Sequence, residues 1–260
     1  MTTQRKLYQI ASSLLLSGLI GFGTIALSAS ASERNGETLS QGLPGRRIGG
    51  GTRGSEIAAR SNQQPLTALI PENHLNVTAA AYPSLLFHVP ALTTPQSVEF
   101  VLRNEADELV YDAMFETSDS GGIVRIDLAE ADGLAPLRVG QNYRWYFSIV
   151  NPGDRSKDIS VDGWIQRIDL ATWVQQQGLE EGVVEQIDGS LSLTQASVLH
   201  EQMGLWSDAA LVLNELRRTQ PTNLSVAAEW ESLLAAVGLE NLSHEPVADR
   251  LMASRTGLLD

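Results

Sequence analysis

The stretch from residue 140 to residue 167 constrains the fold most, because its pattern predicts two strands joined by a tight turn. Apolar and polar residues alternate over 142–150 and again over 159–168, and the turn between them is rich in Asn, Pro, Gly and Asp. A period of two residues is typical of a strand with one buried face. Two such strands joined by a short polar turn predict a β-hairpin.

The alternation divides the side chains of this hairpin between two faces. One face of the first strand carries large apolar residues, Tyr143, Trp145, Phe147 and Ile149. We expect that face to be buried. Arg144 and Tyr146 belong to the opposite face, together with Trp164 on the return strand. A bulge at residues 162–163, of the kind that glycine marks in strands, is the alternative that would turn Trp164 towards the core.

Short apolar segments separated by turns extend this pattern back to residue 65. Six further strands are predicted, at 66–70, 77–81, 85–89, 98–103, 109–116 and 123–128. Seven or eight strands in about 100 residues, all joined by short turns, are typical of an immunoglobulin-like sandwich. We therefore predict an immunoglobulin-like antiparallel β-sandwich over residues 65–168.

The apolar period changes to that of helices after residue 168. Helices are predicted at 170–177, 193–203 and 207–219, with a fourth after Pro221 and a short final one at 246–252. A glycine follows three of the apolar-periodic segments, as is common where helices end. The expected fold class is α+β, a β-sandwich followed by a C-terminal α-helical region, 169–260, that docks on it.

The first 31 residues have the features of an export signal. Two basic residues precede an uncharged apolar segment, 10–27, and Ala29-Ser30-Ala31 fits a cleavage site. An uncleaved signal anchor is the alternative, because the apolar segment is just long enough to cross a bilayer. Residues 32–64 are rich in Gly, Ser and Arg, and their apolar residues follow neither the two-residue period of a strand nor the 3.6-residue period of a helix. A flexible linker is therefore expected there.

Cysteine content and charge limit the class of protein further. The chain contains no cysteine. A secreted eukaryotic domain of this size usually carries disulfides, so a bacterial periplasmic or extracellular protein is favoured. The net charge of −13 argues against nucleic-acid binding, because no basic face is available to displace phosphate counter-ions. The helical half is the acidic one, since residues 169–260 hold 14 acidic residues and four arginines.

Parts of the predicted sandwich are similar to one protein family. They are Leu66–Glu72, Val98–Arg103 and Tyr143–Val150, the last together with Val161–Ile165. Together they resemble the cyanobacterial DUF928 family, over Pro65 to about Leu242. Members of that family are exported and have no assigned activity, so the resemblance implies a location but no mechanism. Many of them carry a cysteine just after the Trp-Tyr-Phe strand, where this chain has Asn151.

The helical region is similar to a single tetratricopeptide hairpin. The residues at the matching offsets are Gly204, Trp206, Ala209, Leu213 and Pro221. Solenoids of such repeats usually need about three units to be stable. A single unit is therefore expected to dock on the sandwich rather than to form an array.

The sequence contains no recognisable catalytic motif. Its four histidines are scattered, and neither a His-Glu-x-x-His helix nor a Gly-x-Ser-x-Gly elbow is present. We predict no catalytic residue, no metal site and no cofactor. Loop carboxylates leave two alternatives open. One is a carbohydrate-active or metal-assisted hydrolase, and the other is calcium bound at 127–133 or at Asn151, Asp154 and Asp158.

The polar face of the hairpin supplies the predicted binding residues, Arg144, Tyr146 and Trp164. If that face is open, these side chains form a patch that docks a protein or stacks on a sugar. We predict an exported, non-enzymatic binding or scaffold protein of the bacterial cell envelope. Its expected partner is another, unidentified envelope protein, with contact to the membrane only through an uncleaved signal. A polysaccharide-binding module is a further alternative.

Overall fold

The computed structural model describes residues 43–50, 63–129, 133–180, 182–187, 189–248, 251 and 253–256. The predicted signal and most of the predicted linker lie outside these residues. The described chain is α+β, with strands followed by helices. None of the helices in these ranges is long and apolar enough to cross a membrane.

Among the described residues, eight strands precede the helices and a ninth follows them. They are β1 (Thr67–Ala68), β2 (Leu75–Thr78), β3 (Ser84–Val89), β4 (Ser97–Arg103), β5 (Leu109–Glu116), β6 (Gly122–Asp127), β7 (Asn142–Ile149), β8 (Ile159–Arg167) and β9 (Ala253–Thr256). The eight strands predicted from the period of two are confirmed, with ends that differ by a few residues. Buried and half-exposed residues alternate strictly along β4 and β7, as expected for strands with one buried face.

The strands form two sheets that face each other across an apolar core. The smaller sheet has the order β1-β3-β6, and the larger has the order β2-β8-β7-β4-β5-β9. Phe87 of the smaller sheet is fully buried against β7 of the larger one. Its ring stacks on Phe147 with 4.2 Å between centroids and meets Trp145 edge-on at 5.4 Å. The main apolar core therefore lies between the sheets.

The larger sheet is mixed, which corrects the prediction of a wholly antiparallel sandwich. β2 runs parallel to β8, with Leu75 opposite Trp164 and Thr78 opposite Arg167. Parallel neighbours cannot be joined by a hairpin and need a long connection. Here the connection between β2 and β8 comprises all the strands from β3 to β7. The short turns in the sequence predicted only antiparallel neighbours, so they could not indicate this parallel pair.

Within the described residues, five α-helices follow the first eight strands. They are α1 (Leu170–Gln176), α2 (Gly182–Glu185), α3 (Leu193–Ser197), α4 (Trp206–Thr219) and α5 (Leu224–Ala235). A π-helical turn, Val198–Gln202, continues α3. The helices predicted at 170–177, at 207–219 and after Pro221 are confirmed, and the one predicted at 193–203 consists of α3 and this turn. The short helix α2 was not predicted.

The helices pack on the outer face of the smaller sheet. Leu86 of β3 and Ile123 of β6 belong to the same buried apolar cluster as the helical side chains. Within that cluster Trp206 Nε1 donates to Leu233 O at 2.9 Å, which joins α4 to α5. The fold therefore has three layers, in the order helices, smaller sheet and larger sheet.

The described residues of the predicted final helix, 246–248 and 251, are not helical, and its other residues lie outside the described ranges. Residues 246–248 run extended along the start of β6, where Ile123 N donates to Pro246 O at 2.8 Å and Ala248 N donates to Ile123 O at 2.9 Å. β9 then pairs antiparallel with β5. The backbone N–H and C=O groups of this segment bond to the edges of the sheets instead of to one another, as they would in a helix. Residues 246–248 lie on the smaller sheet and β9 lies on the larger one, both along one side of the fold.

Residues 43–49, here called the N-terminal strap, connect the two sheets along the opposite side. Arg46 exchanges backbone hydrogen bonds of 3.0 and 2.9 Å with Asp162 of β8. Gly49 N donates to Leu66 O at 2.7 Å, and Ala68 N donates to Arg47 O at 2.8 Å, next to β1. This part of the predicted flexible linker therefore belongs to the fold.

Candidate functional site

The outer face of the larger sheet is left open by the helices. Among the residues that the structure describes, the helical apolar cluster includes no side chain from β4, β5, β7 or β8. The outward-facing residues of β4, β7 and β8 are half-exposed, and they alternate with buried ones. The three predicted binding residues are on this open face.

Arg144, Tyr146 and Trp164 form one stack, here called the arginine–aromatic cluster. Tyr146 follows Arg144 by two residues on β7, and Trp164 lies directly opposite Arg144 on β8. Strand geometry therefore places all three side chains on one face. The guanidinium carbon lies 5.0 Å from the centroid of the Tyr146 ring and 5.6 Å from that of Trp164. Both distances are within the range of a cation–π interaction.

Asp162 fixes the guanidinium group of this cluster. Its Oδ2 accepts a hydrogen bond from Arg144 Nη2 at 2.8 Å. That hydrogen bond raises the pKa of Arg144 above its usual value. Arg103 lies opposite Arg144 on β4, and Arg46 of the strap lies opposite Asp162. Of these arginines, Arg144 is paired with Asp162 and Arg103 with Asp107, so their charges are largely balanced on this face.

The N-terminal strap holds Trp164 in place. The indole Nε1 donates to Pro44 O at 2.8 Å. Gly45 allows the strap to pass close to the sheet, because a Cβ there would lie 3.0 Å from both Asp162 O and His74 Cβ. Sequence reasoning missed this contribution, since the strap pairs through its backbone and has no apolar period.

Gly163 lies opposite Trp145 in the pairing of β8 with β7. Its lack of a side chain lets the two strands pair without a shift in register. A Cβ at Gly163 would lie 2.5 Å from Trp145 Cζ2 and 3.0 Å from Ile70 Cδ1. The glycine therefore leaves room for the buried indole ring. The pairing of β7 with β8 continues without a bulge, so Trp164 stays on the open face and the alternative orientation is wrong.

Replacing Gly163 by alanine is expected to lower the free energy of unfolding by about 1–3 kcal/mol, because the indole or the strand must shift. Gly153→Ala is the control, since its Cβ would meet no atom closer than Asn151 Oδ1 at 3.8 Å. Urea unfolding of both variants measures the difference. Equal stabilities would contradict the tight contact with Trp145.

The loop at 151–158, considered as a calcium site, uses its oxygen atoms locally. Asn151 Oδ1 accepts two backbone N–H groups, and Asp158 Oδ1 accepts Asn151 N at 2.7 Å. Hydrogen bonds from Ser156 hold the pKa of Asp154 below its usual value. Residues 130–132 of the other acidic loop are outside the described residues. In the described ranges, no three His, Asp or Glu side chains are grouped to hold a metal.

His88 is a buried histidine that pairs with the half-exposed Glu245, a contact that sequence reasoning did not find. The side chain is 2% exposed, its Nδ1 donates to Pro65 O at 2.9 Å, and its Nε2 lies 3.3 Å from Glu245 Oε2. Ser120 lines the same cavity of about 210 Å³. Because both ring nitrogens already have oxygen partners, neither is free to activate this serine.

Residues 48–247 match the protein family described as Domain of Unknown Function (DUF928). The chain belongs to this family. The DUF928 match begins in the N-terminal strap and includes both β7 and β8, so it contains the whole arginine–aromatic cluster. It also includes the helical layer and ends before β9. No protein of curated function matches the chain significantly.

Proposed function

We propose that this DUF928 protein is an exported, non-enzymatic binding or scaffold protein of the bacterial cell envelope. Its partner is another envelope protein, which docks on the open face of the larger sheet. The observation that carries the proposal is the arginine–aromatic cluster. Arg144 is stacked between Tyr146 and Trp164 on a face that the helices do not cover.

The chemistry of the cluster suits a protein partner. Trp, Tyr and Arg are the residues most enriched among those that dominate binding energy at protein interfaces. Here Asp162 holds the guanidinium and Pro44 holds the indole, so little side-chain freedom is left to lose on binding. Because Arg144 is paired with Asp162 and Arg103 with Asp107, the cluster presents a guanidinium–aromatic surface whose charge is largely balanced.

The location follows from features at the N-terminus. The basic residues, apolar segment and small-residue site within residues 1–31 support export to the periplasm or the outside of the cell. An uncleaved signal would tether the protein to the membrane instead. The proposal includes a cyanobacterial lineage, an immunoglobulin-like architecture for the two sheets and a resemblance of the helical hairpin to a single tetratricopeptide unit.

The alternatives have less support from the geometry. A polysaccharide-binding module needs exposed ring faces, but the guanidinium of Arg144 covers one face of each ring and Trp164 Nε1 is bound to Pro44. A hydrolase needs a free acid–base pair, whereas the loop carboxylates described above are bound within their own turns. A glycan array with the purified protein separates the sugar-binding alternative from the protein-binding proposal.

Co-purification from the native envelope tests the proposal. The double variant Arg144→Gln/Trp164→Ala is expected to recover at least about thirty times less partner than the unchanged protein, as for the loss of two dominant contacts.

Leu224→Ser is the matched control. Leu224 is 84% exposed but lies on α5, away from the open face. Recovery with this variant is expected to equal that with the unchanged protein. Equal recovery with the double variant, or a glycan-array signal without any protein partner, would overturn the proposal.

A further inference from the structure

A groove at the loop joining α4 to α5 combines apolar walls with basic side chains. It has a volume of about 470 Å³ and lies between this loop and residues 243–247. The apolar lining residues are Pro221, Val226, Ala227, Pro246 and Val247. The basic lining residues are Arg217, Arg218 and His244, and none of the described residues that line the groove is acidic. Its size is that of a small-molecule site.

Arg217 is a half-buried cation in this groove. Its guanidinium carbon lies 4.8 Å from the centroid of the Trp230 ring, and its Nη2 donates to Glu245 O at 2.8 Å. None of the ion pairs between described residues includes Arg217. Burial lowers the pKa of this guanidinium. Its Nη1 is enclosed and has no hydrogen-bond partner among the residues described.

Two other positively charged groups at the groove, Arg218 and the N-terminus of α5, already have partners within the protein. Arg218 forms an ion pair with Glu215. The N-terminus of α5 is capped by its own Asn223, whose Oδ1 accepts Ser225 N at 3.0 Å and Val226 N at 3.4 Å. Arg217 is therefore the arginine of this groove that has carbonyl and ring partners but no carboxylate partner among the described residues.

We infer that the groove binds a carboxylate carried on an apolar body. A partly buried charge without a counter-ion is costly, and a charge-assisted contact with a carboxylate offsets that cost. The apolar body would pack against Pro221 and Ala227, which line the groove and are exposed. Two sources share this chemistry, namely a free alkyl carboxylic acid and the C-terminal residue of a peptide. The inference does not depend on the open face, because the groove belongs to the helical layer.

Calorimetric titration of the purified protein tests the inference with two matched pairs of probes. Hexanoate is compared with hexanamide, and N-acetylleucine with N-acetylleucinamide. Each carboxylate is expected to bind at least about tenfold more tightly than its amide, because only the carboxylate pairs with Arg217. The tighter of the two carboxylates identifies the source, a free acid or a peptide end.

Two variants locate the binding at the groove. Ala227→Phe places a ring in the groove without changing Arg217 and is expected to abolish binding of both carboxylates. Arg217→Met keeps a similar stem over Trp230 and is expected to remove the preference for carboxylate over amide. Equal affinity for acid and amide, unchanged binding by Ala227→Phe, or no binding of either acid at about 10 mM would each overturn the inference.

Discussion

Trp145→Ala is expected to lower the free energy of unfolding by about 3–5 kcal/mol, the range for removing a large buried aromatic side chain. The indole is fully buried and meets Phe87 of the facing sheet edge-on at 5.4 Å. Its loss leaves a cavity between the two sheets that Gly163 opposite cannot fill. Chemical denaturation followed by far-ultraviolet circular dichroism measures the change.

Trp164→Ala is the matched control, because Trp164 lies on the same hairpin but on the open face. It is expected to lose much less stability and yet to lose partner binding. Trp145→Phe is expected to lose less than Trp145→Ala, since it keeps an aromatic ring and removes an indole N–H that has no partner among the described residues. Similar losses for Trp145→Ala and Trp164→Ala would contradict the assignment of the two faces.

Asp208→Ala is expected to lower the free energy of unfolding by about 2–4 kcal/mol, because two enclosed donors lose their acceptor. Asp208 accepts Thr78 Oγ1 at 2.7 Å and Ala79 N at 3.1 Å, which joins α4 to the end of β2. The acid lies in the first turn of α4, where the helix dipole favours a negative charge. Urea unfolding at neutral pH measures the loss.

Asp208→Asn separates the charge of this side chain from its hydrogen bonds. Burial raises the pKa of Asp208 in the folded protein. The folded state then holds the proton more tightly than the unfolded state, so the contribution of Asp208 to stability is greatest below about pH 4 and falls as the pH rises through the folded pKa. The stability of the unchanged protein relative to Asp208→Asn is therefore expected to fall from pH 4 upwards. A difference that does not vary with pH would contradict this cause.

Local patterns in the sequence predicted the strands and the faces of the central hairpin. Alternation alone placed Arg144 and Tyr146 on the face opposite to that of the buried Trp145, because successive side chains of a strand point to alternate faces of the sheet. The side of Trp164 was left open by the glycine before it. The structure decides it through the approach of Gly163 to Trp145. The binding role of these residues stays a prediction.

Long-range pairings could not be predicted in the same way. The parallel contact of β2 with β8 joins segments far apart in the chain, and no local turn indicates it. The N-terminal strap and residues 246–248 are held by backbone groups at sheet edges, which any sequence can provide. Glu245 and Arg217 gained their significance only from partners brought together by folding, His88 and Trp230 respectively.

The N-terminal strap determines where a mechanical force applied to the preceding chain first acts on the domain. Because Arg46 is hydrogen-bonded to β8 and Gly49 to the carbonyl before β1, tension applied before Leu43 acts on both sheets at their common margin. It reaches that margin through Pro44, the residue that holds the indole of Trp164. In a membrane-tethered form, mechanical strain would therefore reach the open face of the larger sheet before it reaches the helices.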